Sequence, residues 1–485
     1  MNSRIIKSII ILVVLFVFST PNLIKSQNEN DALRLAYPDI ISNARALGMG
    51  NSYQTRSGDY SAMFFNPAGL ALSKKSQFTA SFYHRSTGNN SNFFGNENNS
   101  NNSSTNFSQL GYLYKAPTTR GSLVYGFGYQ TDKDFASSLK FNGFNPNRNS
   151  MIQDLTSKND DVPYLLGLSY GIFDSEDNYI KDASIIDGNL GQSGSNLEEG
   201  GIDRYSAGAG IEVAKNVYFG GSLNYLSGNF SNNREYYEDD VKNIYNQPTD
   251  IYDANTANFQ TFYFNDGISW DINAWEFRLG FIVDWMDFIQ VGASTKLPTK
   301  FIIRENYYLE GYSKFSDNYF IDLNPSESLI EYKITTPFEF SIGSSVNMHI
   351  VNISAQATII DYSQMEFSGD LEKSIITENN RIINQNFGTV INYNLGAELK
   401  IPFTEIRARA GIMYYASPYK NDPPSFDRVY LNAGAGIEVS NSIKFDFAYS
   451  YGFWDTYSDN YGSNLSRVSQ SVSSQTFILT TTIVY

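Results

Sequence analysis

Residues 441–453 read NSIKFDFAYSYGF, with Ile443, Phe445, Phe447, Tyr449, Tyr451 and Phe453 on every second position. Lys444, Asp446, Ala448, Ser450 and Gly452 fill the positions between. Successive side chains of a strand point to opposite faces, so one face here is apolar and the other small, polar or charged. The second face is unsuited to the core of a soluble sandwich but suits a water-filled or ligand-lined lumen, with the apolar face against lipid. This is the pattern of a transmembrane β-barrel strand.

The rest of the chain agrees with that reading. Residues 1–26 carry Arg4 and Lys7, an apolar run and a short polar end, which predicts a secretory signal peptide too short to span a bilayer. Its removal takes the formal charge from −15 to −18 by loss of Arg4, Lys7 and Lys25. An acidic chain of this kind argues against a nucleic-acid partner. No other stretch approaches the roughly 20 apolar residues of a membrane helix, so any crossing must use strands of about 10 residues. Cysteine is absent, which excludes disulfides, thiol chemistry, iron–sulfur clusters and a lipid-modified cysteine. Aromatic residues at 15% and 36 glycines suit interface girdles and closely packed strands.

Fifteen period-two segments lie between 77–85 and 475–485. A bacterial barrel should have an even number. Short links at 214–216, 285–287, 348–349, 402–404 and 440–441 alternate with long polar ones, as short periplasmic turns alternate with outer loops. That alternation fails only if 164–173 is a strand, so this segment is assigned to a long outer excursion. The sequence thus predicts an all-β fold, a fourteen-stranded antiparallel transmembrane barrel over 77–485, with both termini in the periplasm. Outer loops are expected at 86–108, 130–202, 229–273, 296–336, 363–390, 416–428 and 454–474.

Residues 27–76 show no period-two pattern, and a barrel does not require them. They contain ARALGMGNS at 44–52 and SAMFFNPAGL at 61–70. With IDYSQM at 360–365, RARAGIMYYASPYKND at 407–422, and LNAGAGIE and FDFAYSY between 429 and 451, the chain resembles the FadL-like outer-membrane transporters of long-chain fatty acids and other hydrophobic compounds. The resemblance covers 33–85 and the chain from about 338 onward, and is weak between them. It implies that 27–76 is an N-terminal hatch, or plug, inside the lumen, with Asn66, Pro67, Ala68 and Gly69 at its centre. It also implies a kinked third strand that opens the wall sideways; 122–129, with Gly121, Gly126 and Gly128, is the matching stretch. Read from the residues alone, Asn66-Pro67 suits a fixed turn, because proline sets φ and asparagine can bond its own backbone.

The period places Glu276, Arg278, Glu339, Glu398, Lys400, Arg407, Arg409, Glu438, Lys444 and Asp446 toward the lumen, and Trp275, Phe277, Phe338, Phe340 and Ile406 toward lipid. Such charges suit cross-strand ion pairs that stiffen the wall and hold the inner segment. Alternatively, Arg407 or Arg409 meets a ligand carboxylate, for which guanidinium is well shaped. Aromatic clusters at 236–237 and 259–264 suit an outward capture groove or a membrane girdle. Glu235, Glu238, Asp239 and Asp240 form an acidic patch, open to a cation-binding or a solvated-loop reading. His84 and His349 are the only histidines, and no nucleophile elbow, metal-ligand spacing or phosphate loop is present, so neither enzyme activity nor a cofactor is expected.

The expected function is passive uptake of hydrophobic small molecules by a monomer in contact with outer-membrane lipid. A rival reading comes from barrels of secretion machinery, the type IX shuttle barrels, which bind exported proteins at their outer loops; residues 44–50, ARALGMG, resemble their N-terminal passage equally well.

Overall fold

The computed structural model describes residues 27–286 and 288–485, so the expected signal peptide lies outside the described residues. Fourteen wall strands form one closed antiparallel sheet. They are β1 (Gln77–Phe93), β2 (Asn96–Ala116), β3 (Leu123–Asp134, resuming as Ser137–Asn145), β4 (Leu190–Ala214), β5 (Val217–Asp239), β6 (Thr261–Trp285) and β7 (Ile289–Lys296, resuming as Lys300–Lys314). The second half comprises β8 (Ser326–Thr335, resuming as Glu339–Met348), β9 (Val351–Asp361, resuming as Glu366–Gly369), β10 (Thr389–Lys400), β11 (Ile406–Tyr415), β12 (Arg428–Ser440), β13 (Ile443–Asp459) and β14 (Arg467–Val484). The ring closes where β1 pairs with β14, from Gln77 opposite Val484 to Asn92 opposite Ser469. No helix among the described residues is long and apolar enough to cross a membrane.

The alternation that makes these segments strands also orients them. On β6, Trp275, Phe277, Leu279 and Phe281 are 43–58% exposed, whereas Glu276 and Arg278 between them are 2% and 7% exposed. The same holds on β13, where Phe445 and Phe447 face out and Asp446 and Ala448 face in. Tight turns join the strands at one end, here the turn end, with Asn216 and His349 at positive φ. Residues 164–173 stay out of the wall: Asp161–Leu165 is a short helix, and Tyr170–Phe173 pairs only with Tyr179–Ala183.

At the loop end the expected boundaries do not hold. Residues 86–108, expected as a loop, continue β1 and β2 as paired strands down to Phe93 opposite Asn96. Strands β4 and β6 each run 25 residues, about 80 Å at the rise of a strand, where about 10 residues suffice to cross the hydrocarbon. Above the membrane both faces of a strand meet water or polar side chains, so alternation is not required there. A helix over Lys373–Asn386 also falls within an expected loop.

These tall strands enclose a hydrophobic core of their own. Tyr236, Phe259, Phe262 and Phe264 are buried in it with Phe141 and Phe315. The 259–264 cluster is therefore neither an open groove nor a girdle. Glu238 is not a cation ligand: it is fully buried and accepts from Met151 N at 2.7 Å, Gln192 Nε2 at 2.8 Å and the Tyr236 hydroxyl at 3.0 Å. Burial pushes its carboxyl up to about 7.

Candidate functional site

Residues 27–76 form helix α1 (Glu29–Ala36), two shorter helices, α2 (Ala44–Gly48) and α3 (Ala62–Phe65), and a 3₁₀ turn, Pro67–Leu72. Asn28 caps α1 in a reciprocal capping box with Asp31. The segment bonds to wall strands on every side: Asp39 to Arg85 of β1, Ser61 to Gln109 of β2, Met63 O to Ser222 of β5, Thr55 to Ser345 of β8 and Ala44 N to Thr480 of β14. Asn66 is fully buried; its Nδ2 donates to the carbonyls of Gln54, Phe281 and Ala293 at 3.0–3.3 Å, and its Oδ1 accepts from Ala68 N. Asn66 thus ties the segment to β6 and β7, well beyond a local turn into β1. Pro67 and Asn66 lie directly on Gly220 and Gly280, where an added Cβ would overlap them. Gly69 meets Ser57 in the same close way.

The charged residues assigned to the lumen point inward, and most are paired. Arg409 donates to Glu398 at 2.8 Å and Asp446 at 2.7 Å. Arg407 contacts Glu438 at 2.9 Å. Glu398 also receives Arg45 of the inner segment at 3.2 Å. Arg409 therefore has its carboxylates already, and the expectation that it meets a ligand gives way to an anchoring contact between wall and inner segment. Glu276 lies between Arg204 and Arg278, and Lys296 pairs with Glu339.

Gly126 and Gly128 do not mark a break in the wall. Gly126 pairs with Leu113 on one side and Gly208 on the other, and Gly128 with Gly111 and Ser206. Their missing side chains leave room for Met63 and Tyr60 of the inner segment. Gly121, at φ 69°, belongs to the turn before β3. The ladder between β2 and β3 ends two residues past Gly128, at Gln109 opposite Gln130. Past it β3 bulges against β4 between Thr131 and Lys133 and is interrupted at Phe135 and Ala136. The resumed part, Ser137–Asn145, pairs with β4 alone and takes side-chain bonds from Asn89, Ser91 and Ser100 to its carbonyls.

A cavity of about 370 Å³ reaches this interruption. It is bounded by Tyr37–Ile40 of the inner segment, by Lys133–Ser138 and by side chains of β1, β12, β13 and β14. It shares Tyr37, Arg428 and Trp454 with a wider basin of about 1370 Å³ at the loop end. Arg428 lies in both; its guanidinium carbon sits 4.2 Å from the Tyr37 ring centre and 4.6 Å from that of Trp454. Among the described residues it has no carboxylate within ion-pair distance, unlike Arg34, Arg45, Arg85, Arg204 and Arg409. Sequence reasoning passed over Arg428, which begins β12 at the edge of an expected loop; its aromatic partners come from residues distant in sequence.

Comparison of the sequence with protein-family models and with curated proteins gives no match. Among solved structures the chain is similar to the toluene transporter TodX of P. putida, at 13% identity and TM-score 0.56 over 92% of this chain and 99% of that one. It is similar to a Pseudomonas aeruginosa FadL homologue, at 14% identity and TM-score 0.57 over 92% and 99%. It is also similar to the monoaromatic hydrocarbon channel CymD, at 13% identity and TM-score 0.51 over 91% and 97%. The chain therefore has the fold of the FadL-like transporter barrels.

Proposed function

We propose that this chain is a passive outer-membrane channel for hydrophobic molecules that carry an acidic head group, with long-chain fatty acids as the type. In this reading the turn end and both termini face the periplasm, residues 27–76 act as the hatch, and the loop-end basin receives ligand from outside. An apolar chain in open water carries a cost of about 25 cal/mol per Å² of exposed surface. A closed cavity with a side exit avoids it. The interruption of β3 next to the cavity supports such an exit into the membrane, between β2 and β3.

The observation that carries the acidic head group is Arg428, stacked between Tyr37 and Trp454 without a carboxylate of its own. Aromatic faces hold a guanidinium in place and leave its fork of donors for a planar anion. TodX and CymD are by name carriers of neutral aromatic hydrocarbons; an unpaired arginine at the cavity argues for a different cargo here.

Binding of a fluorescent long-chain fatty acid to the purified barrel tests the reading. Arg428→Gln should weaken it about tenfold or more, the worth of a charge-assisted hydrogen bond, and leave a neutral alkyl probe unaffected. Equal affinity of wild type and variant for the acid would refute it. The rival secretion reading draws support from the tall loop-end collar; it expects no binding of either probe and co-purification of an exported protein.

A further inference from the structure

At the turn end the inner segment and the wall enclose a vestibule of about 990 Å³, and a side pocket of about 50 Å³ shares its Arg45 and Lys444 lining. Six cations, Arg45, Arg56, Lys74, Lys75, Lys115 and Lys444, line the vestibule against two carboxylates, Glu212 and Asp284, and the carboxylates beside the arginines are already taken. Glu398 serves Arg409 and Arg45, Asp446 serves Arg409, and Glu438 serves both Arg407 and Lys444 at 2.9 Å. Asp59 is turned to the Tyr53 hydroxyl and to Ser61 N.

Arg56 is left over. It lines the vestibule, its Nε is buried without a hydrogen-bond partner, and no carboxylate lies within ion-pair distance of it among the described residues. The like charges of Arg45 and Arg407 bear on it, opposed by Glu398, which is beyond ion-pair distance and already held by Arg45 and Arg409. Lys74, Lys75 and Lys115 line the same vestibule. Cations thus outnumber carboxylates here, in a chain whose net charge is −15. A guanidinium whose Nε is removed from water without an acceptor, and whose nearby carboxylate is already shared by other arginines, is unfavourable. The component that would balance it is an anion.

We propose that this vestibule is an oxyanion site, in which a carboxylate or phosphate group is held by Arg56 with Arg45 and Arg407 beside it. The site joins the inner segment, which supplies Arg45 and Arg56, to β11, which supplies Arg407, so an occupied site braces the segment against the wall. It lies at the opposite end of the barrel from Arg428 and does not depend on what the upper cavity takes.

Unfolding temperature of the full-length barrel in detergent, titrated with inorganic phosphate or with hexanoate at constant ionic strength, tests this. Wild type should show a saturable rise with phosphate; Arg428→Gln, which lacks the arginine of the upper cavity, should show one with either anion the vestibule takes, and the double variant Arg428→Gln/Arg56→Gln should show none. Arg56→Lys in the Arg428→Gln background, which keeps the charge and loses the fork, should give a weaker saturable rise and keeps the question decidable if the double glutamine variant folds poorly. A response to phosphate alone assigns the site to free phosphate, a response to hexanoate alone to the head group of an amphiphile, and a response to both to oxyanions generally. Identical curves for Arg428→Gln and the double variant, or no saturable response of Arg428→Gln to either anion, overturn the proposal.

Discussion

Asp39 of the inner segment holds Arg85 of β1 through both carboxylate oxygens, at 2.5 and 3.0 Å, and one of those oxygens also accepts the backbone N–H of Asp134 at 3.0 Å. One carboxylate thus fastens the inner segment to the last residue of β3 before its interruption. Beside it Lys133 donates to Tyr37 O, and the Tyr83 hydroxyl donates to Asp134. Replacing Asp39 by Asn leaves Arg85 buried without its charge partner, a loss on the order of 3 kcal/mol. The amides of residues 131–136 in Asp39→Asn should exchange hydrogen at least tenfold faster, while those of 123–130, paired on both sides, stay near the wild-type rate.

The contact of the inner segment with wall glycines gives a second expectation. A Cβ at Gly280 would overlap the Asn66 side chain, and one at Gly220 would overlap Pro67. Gly280→Ala and Gly220→Ala should therefore unseat this stretch while the strands, which have no need of glycine at these positions, still form. Single-channel recordings in planar bilayers should show small or no ion conductance for the wild type and stable, larger steps for both variants.

The collar at the loop end should respond to pH. Burial holds the Glu238 carboxyl at about 7 in the folded chain, against an ordinary value near 4.5. The folded state therefore binds the proton more tightly than the unfolded one, and stability falls as pH rises through this window and levels above it. The loss is about 3 kcal/mol at most, from about 1.4 kcal/mol per unit. Proteolysis of residues 146–189 should accelerate between pH 5 and pH 7.5 in the wild type, and the acceleration should largely vanish in Glu238→Gln.

The wall was readable from the sequence wherever one strand face meets lipid, because there each second residue must be apolar. Trp275, Phe277 and Phe445 all lie on the predicted face. Residues 96–106, NENNSNNSSTN, carry no such alternation, yet form a strand through backbone pairing with β1; with no lipid against them, no residue type is required to alternate. The lumenal charges were placed correctly, but which were paired was not legible. Arg407 and Arg409 have carboxylates from β10, β12 and β13, while Arg428 and Arg56 have none, and that difference depends on strand register and on contacts of the inner segment. Gly126 and Gly128 lie in a stretch paired on both sides and seat Met63 and Tyr60; a glycine seat for another segment and a glycine kink look alike in sequence.

Uptake of two labelled compounds by cells bearing the barrel, a long-chain fatty acid and a neutral hydrocarbon of similar size, separates an acid-selective channel with a side exit from its alternatives. The variants are Arg428→Gln and a pair of cysteines at Ser108 and Thr131, which follow the last paired couple across β2 and β3 in a chain that has no cysteine of its own. Wild-type cells should take up the acid, Arg428→Gln should lose most of that uptake, and the cysteine pair should block it when oxidised and restore it when reduced. Acid uptake no greater than in cells without the barrel, with the protein correctly inserted, would contradict this reading.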